Sequence, residues 1–229
     1  MATLSELVSD IRNIATSGEN TYSFRIEDEQ IAYWIAEVRS MLISQAISRR
    51  DHLTDTWVQG ITCMQLIQVD SSECCLLESD CKTLLRTKDR LPTTVETFND
   101  NTIVRVTKAN GDIISKSNPF EVKYNKYNKY TSLKSQWYLQ NGYLYIINEE
   151  HIEYINVYAI FENPTELANY INCSNETCFN WDQQYPVSLR MANDITNIVL
   201  KTKVYPLLQL PQDTANDAAN PSQIGGKLQ

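Results

Sequence analysis

Apolar residues recur every three to four positions at both ends of the chain and every second position through its middle. Near the start, Leu4, Leu7, Val8, Ile11, Ile14 and Ala15 form one stripe, which predicts a helix over about residues 4–17. Thr3 and Glu6 have capping-box spacing ahead of it, and Gly18 stands where a C′ glycine belongs. A second stripe, Ile31, Trp34, Ile35, Val38, Leu42 and Ala46, predicts a longer helix over about 27–49. Glu27, Asp28 and Glu29 suit the positive end of its dipole. Arg39, Arg49 and Arg50 fall off the stripe and read as solvated or dipole-matching charge, or as interface. A third helix is expected from near Pro186 to Lys203, with Leu189, Ala192, Ile195, Val199 and Thr202 along one face. Pro206 should stop Tyr205 from continuing it comfortably.

After Trp57 the period changes to two. Strands are expected at 61–69, 84–87, 102–107, 112–115, within 137–147 and at 154–161. Asn110-Gly111 and Asn141-Gly142 separate pairs of these runs, and Asn-Gly tolerates the positive φ angles of a type I′ turn. Pro164 is placed at the first turn of a short helix. The expected fold class is therefore α+β: a helical bundle formed by N- and C-terminal helices, an inserted antiparallel β domain, and an extended C-terminal arm. The boundaries are 1–57 for the first bundle helices, 58–172 for the β-rich insertion, 173–205 for a loop and the last bundle helix, and 206–229 for the arm. Beyond Pro211 the Asn, Asp and Ala-rich composition cannot bury a core of its own.

A chain of 229 residues makes one substantial domain or two small ones. No apolar run approaches the roughly 20 residues of a membrane helix, and the acidic N-terminus does not read as a signal peptide. A soluble, intracellular protein with no membrane partner is expected. The net charge of −8 argues against a sequence-reading nucleic-acid binder, which needs basic surface to displace counterions. It does not exclude DNA passing nearby, since such a wall repels a duplex rather than holding it. The six cysteines lack a standard zinc spacing, and with nothing marking secretion they are expected to be unpaired, buried small hydrophobes.

Catalytic signatures are missing. The two histidines, His52 and His151, lie in surface or turn contexts, and the six glycines form no phosphate loop. No nucleophile elbow is present. No catalytic residue, metal or cofactor is expected. One segment carries recognition chemistry: Lys123, Lys126, Tyr127, Lys129 and Tyr130 belong to a repeated Asn-Lys-Tyr run that leads to Lys134. Interleaved cations and aromatics serve backbone contacts with nucleic acid, and equally a protein–protein loop.

Taken together, the short first helix, the Ile/Trp/Val/Arg second helix, the β insertion and a Tyr-Pro helix running into Leu-Pro-Gln-Asp-Thr-Ala-Asn-Asp have a known counterpart. The chain resembles the head-tail connector (adaptor, or ring) proteins of tailed bacteriophages, most of all the ring proteins of crAss-like phages. The resemblance implies a structural virion protein of the neck or tail, assembled in the host cytoplasm as a homo-oligomeric ring, usually of twelve copies. Such a ring sits below the portal protein, extends the DNA exit channel and receives further tail or ring proteins; genomic DNA passes without sequence-specific binding. It also implies a C-terminal arm reaching a neighbour, here with Tyr205, Leu207, Leu208, Leu210, Asp213, Asn216 and Asp217 as interface residues. The alternatives are another tail-tube or scaffold ring component, or a small enzyme or ligand-binding domain.

Overall fold

Thr3 opens the first helix in the way its spacing from Glu6 predicts. Its hydroxyl accepts from the Glu6 amide at 3.1 Å, and the Glu6 carboxylate accepts from the Thr3 amide at 2.9 Å. This closes a capping box at α1 (Leu4–Ala15). The next helix is α2 (Asp28–Ser48), its first turn acidic as expected. The computed structural model describes residues 2–16, 18, 26–49, 54–70, 73, 84–97, 102–120, 127 and 134–208.

Seven strands follow: β1 (Gln59–Gln68), β2 (Leu85–Thr87), β3 (Ile103–Lys108), β4 (Ile113–Lys116), β5 (Gln136–Gln140), β6 (Tyr143–Ile147) and β7 (Tyr154–Ala159). They close into a barrel in the order β1-β2-β6-β5-β4-β3-β7, with β7 returning to β1. Every pairing is antiparallel except β4 with β5. The barrel overturns the expected fold class. The molecule is a closed seven-strand barrel covered by a few helices, not a helical bundle with an inserted β domain. Alternation along the chain gives strands but says nothing of closure. Closure rests on several non-local pairings, among them Gln59 opposite Ala159, Leu85 opposite Ile146, Ile103 opposite Ala159 and the parallel contact of Ser115 with Gln136, and it removes the exposed edges an open sheet would carry.

The two Asn-Gly turns differ. Asn141 and Gly142 have φ of 54° and 79°, as a type I′ turn between β5 and β6 requires. Between β3 and β4 only Gly111 is left-handed, at 92°, with its amide donating to the Lys108 carbonyl at 3.0 Å. The Lys108 amide donates to Asp112 at 2.8 Å, so one residue more than a two-residue loop is accommodated and the I′ expectation fails there.

Helices and barrel share one core. Leu7 and Ile11 of α1, Ile31 and Ile35 of α2, Val157 of β7 and Phe161 just beyond it belong to it, with Ile195 and Val199 of α3 (Leu189–Val199). Helix α2 buries Ile31, Ala32, Trp34, Ile35, Ala36, Val38, Arg39 and Ile43, more than one stripe, because it has packed neighbours on several sides. The 3₁₀ helix Pro164–Asn169 carries Pro164 in its first turn, as predicted.

Two further expectations are corrected. Helix α3 does not stop before Pro206 but widens into a π-helical segment, Leu200–Val204, and continues as a last turn, α4 (Tyr205–Leu208). The Tyr205 amide donates back to Leu200, five residues earlier. That wider turn makes room for a proline ring that would strike the carbonyl ladder of a regular α-helix. The second correction concerns cysteine. Cys63 and Cys173, with Cα atoms 5.2 Å apart, form a disulfide across 110 residues of chain. Among the described residues Cys178 is a free thiol, raised by burial.

Candidate functional site

Arg39 is the strongest departure from the sequence reading. It leaves the apolar stripe of α2 only to enter the junction between helices and barrel, where it is fully buried. Its Nη1 donates to the Phe161 carbonyl at 2.7 Å, Nη2 to Trp57 at 3.1 Å and Nε to Pro186 at 3.1 Å. One guanidinium thus joins the segment just after β7, the turn before β1 and the approach to α3. Only a planar, five-donor fork reaches three carbonyls in this way. Burial lowers its pKa to about 10, with Tyr185 opposing, so it remains charged at neutral pH. The guanidinium carbon stands 5.9 Å from the centroid of the Tyr185 ring.

Tyr185 is equally buried, and its hydroxyl has no hydrogen-bond partner among the described residues. Burial pushes the phenol up to about 12, with Arg39 pulling the other way. The native state therefore keeps a proton that the unfolded chain, with a phenol near 10.0, gives up. Stability from this group is full below about pH 10 and is lost as pH rises toward 12. Tyr185→Phe is expected to be neutral or stabilising at pH 7. Its advantage over the parent should then grow by about 1.4 kcal/mol per pH unit between those limits. Denaturant titrations at pH 8 and pH 11 check this; an unchanged difference between the two chains would refute it.

The expected interface residues divide sharply. Tyr205, Leu207 and Leu208 are exposed, at 41%, 61% and 41%, on the last helical turn. Leu210, Asp213, Asn216 and Asp217 lie outside the described residues, as do Lys123, Lys126, Lys129 and Tyr130. Of the Asn-Lys-Tyr run, Tyr127 is exposed, and Lys134, which follows it, is exposed at the approach to β5.

Sequence reading missed two surfaces. On the outside of the barrel, β3 bulges between Ile103 and Arg105, so Val104 and Arg105 both point outward. With Asp55, Val58, Ile113 and Tyr158 they line a groove of about 470 Å³. The Tyr158 ring lies against Gly60 of β1, where a Cβ would come within 3.0 Å of it. The Arg105 guanidinium carbon stands 4.6 Å from the ring centroid. Glycine in a strand paired across from an aromatic was the one available signal. The second surface is acidic: Tyr33, Ala36, Glu37, Ser40, Glu162, Asn163 and Glu166 line about 300 Å³ between α2 and the Pro164–Asn169 helix. Burial, then Glu96 and Glu166, raises the Glu162 carboxyl.

Among the described residues no group of three His, Cys, Asp or Glu is placed to hold a metal ion, and no helix is long and apolar enough to cross a membrane. The features that stand out are outward-facing, apolar and charged, the kind that contact other proteins. The model of the family described as phage tail ring protein 2 (CrAss_Ring_2) matches residues 6–222, and the chain belongs to that family. No curated protein matches it. Membership makes it a structural component of a bacteriophage tail ring and so part of the virion.

Proposed function

We propose that copies of this chain form a closed ring, of twelve copies, beneath the portal protein, lengthening the DNA exit channel and joining capsid to tail. The observation that carries the reading is the end of the described chain. Tyr205, Leu207 and Leu208 expose apolar surface on a single helical turn that the other described residues leave uncovered. They stand at the head of a polar segment, 206–229, that acts as an arm onto the portal or an adjacent copy. An arm of this kind loses roughly 1–2 kcal/mol per residue on ordering. Three or four buried Leu and Tyr side chains return only about 1.5–3 kcal/mol each. The remainder comes from backbone hydrogen bonds along the bound segment.

The net charge of −8 supports a channel wall that lets DNA slide. The segment holding Lys123, Lys126, Tyr127, Lys129, Tyr130 and Lys134 meets either that DNA or the next ring. Deleting 206–229 is the test. Val204 is fully buried and remains, so the truncated chain is expected to melt within about 2 °C of the parent. It should nevertheless fail to join DNA-filled heads, seen as particles lacking ring density beneath the portal. Normal particles built from the truncated chain would overturn the assignment of the arm.

A further inference from the structure

The groove on the outer wall of the barrel is built as a receiving surface. Gly60 leaves room for one edge of the Tyr158 ring, and the Arg105 guanidinium lies 4.6 Å from the ring centroid. The cation–π contact restrains both side chains in the free molecule, which reduces the ordering cost of a contact. Around this stack, Val104 is 50% and Ile113 68% exposed. Tyr and Arg next to a patch of unpaired aliphatic side chains is the composition of binding hot spots.

The same chain carries the matching protrusion. Tyr205, Leu207 and Leu208 project from α4, and the sequence continues with Leu210, Asp213 and Asp217. Apolar residues followed by acids fit an apolar groove that offers the Arg105 cation. Lys201, one turn ahead of Tyr205, answers the groove's acid, Asp55. Two copies of net charge −8 repel one another, so a contact between them needs local charge matching of this kind. Ring closure also demands two different patches per copy, one presented and one receiving.

We infer that the groove of Val58, Val104, Arg105, Ile113 and Tyr158 receives residues 205–217 of the next copy in the ring. The inference rests on the ring reading above and names the surface that the arm meets. A fully extended chain covers roughly 3.5 Å per residue, so nine residues such as 209–217 have a maximum span of about 30 Å.

The test uses the full-length chain with a photoreactive benzoylphenylalanine in place of Ile113. Equal amounts of ¹⁴N- and ¹⁵N-labelled protein are mixed at high concentration, irradiated and digested. Peptide pairs joining position 113 to 205–217 and carrying mixed labels are the expected product. Val104→Asp is expected to reduce their yield about tenfold or more. Arg105→Glu should also reduce it, and adding Asp213→Arg and Asp217→Arg to that chain should restore it. Pairs bearing one label only would mean that the arm folds onto its own barrel, overturning both the groove and the assembly reading. Mixed-label pairs to another segment would overturn the groove while leaving self-assembly intact. No product at all would overturn the groove as receptor. Sedimentation then decides whether copies still associate elsewhere. Melting curves of each variant confirm that the barrel is folded.

Discussion

Replacing Arg39 with alanine is expected to lower the stability of the fold by about 4 kcal/mol or more. Three buried carbonyls, those of Trp57, Phe161 and Pro186, lose their donor together. An unsatisfied buried acceptor costs roughly 1–3 kcal/mol, and a charged donor makes a stronger bond than a neutral one. A cavity the size of a guanidinium adds to the loss. For a chain of this length each kcal/mol moves the melting temperature by about 2–4 °C, so a fall of about 10 °C or more follows. Arg39→Lys keeps the charge but concentrates it on one nitrogen, which cannot span carbonyls on three segments, and is expected to recover less than half of the loss. Melting followed by circular dichroism measures both. A shift under about 2 °C for the alanine variant would show that Arg39 does not hold helices and barrel together.

How far the sequence spoke depends on whether the signal was local. Thr3 with Glu6, Asn141 with Gly142, and Pro164 act within four residues of themselves, and each is found where its chemistry puts it. The strand positions were legible for the same reason, since alternation is a property of short windows. The barrel was not, because Gln59 must find Ala159 and Ser115 must find Gln136, and no window contains either pair. Arg39 shows the limit most clearly. Its position off the apolar stripe was read correctly, but whether that side met water or the Phe161 carbonyl was decided by a segment more than a hundred residues away. The candidate surfaces follow the same division. The exposure of Tyr205, Leu207 and Leu208 is foreshadowed by the polar composition that follows them. The stack of Arg105, Tyr158 and Gly60 exists only after β3, β7 and β1 have come together.

Breaking the bond between Cys63 and Cys173 is expected to have an effect of similar size. Cys63 sits at the irregularity of β1 with φ of 57°, and Cys173 lies on an exposed turn after the Pro164–Asn169 helix. The bond ties the barrel wall to the segment that leads into α3, closing 110 residues of chain. On chain entropy alone, a loop of that length is worth about 4–5 kcal/mol. Losses on this scale are also seen when native disulfides are removed from small domains. Cys63→Ser with Cys173→Ser should therefore lower the melting temperature by about 10 °C, and reducing the parent should bring it to the same value. Cys173 is exposed, so a soluble thiol can reach the bond, whereas half-buried Cys178, its thiol raised by burial, is a poor internal attacker. Such disulfides are rare where glutathione keeps thiols reduced. Peptide mapping under non-reducing conditions follows the pairing, and melting with and without reductant follows its worth. Identical melting curves, with the Cys63–Cys173 peptide pair present in one sample and absent from the other, would show that the bond adds nothing to the fold.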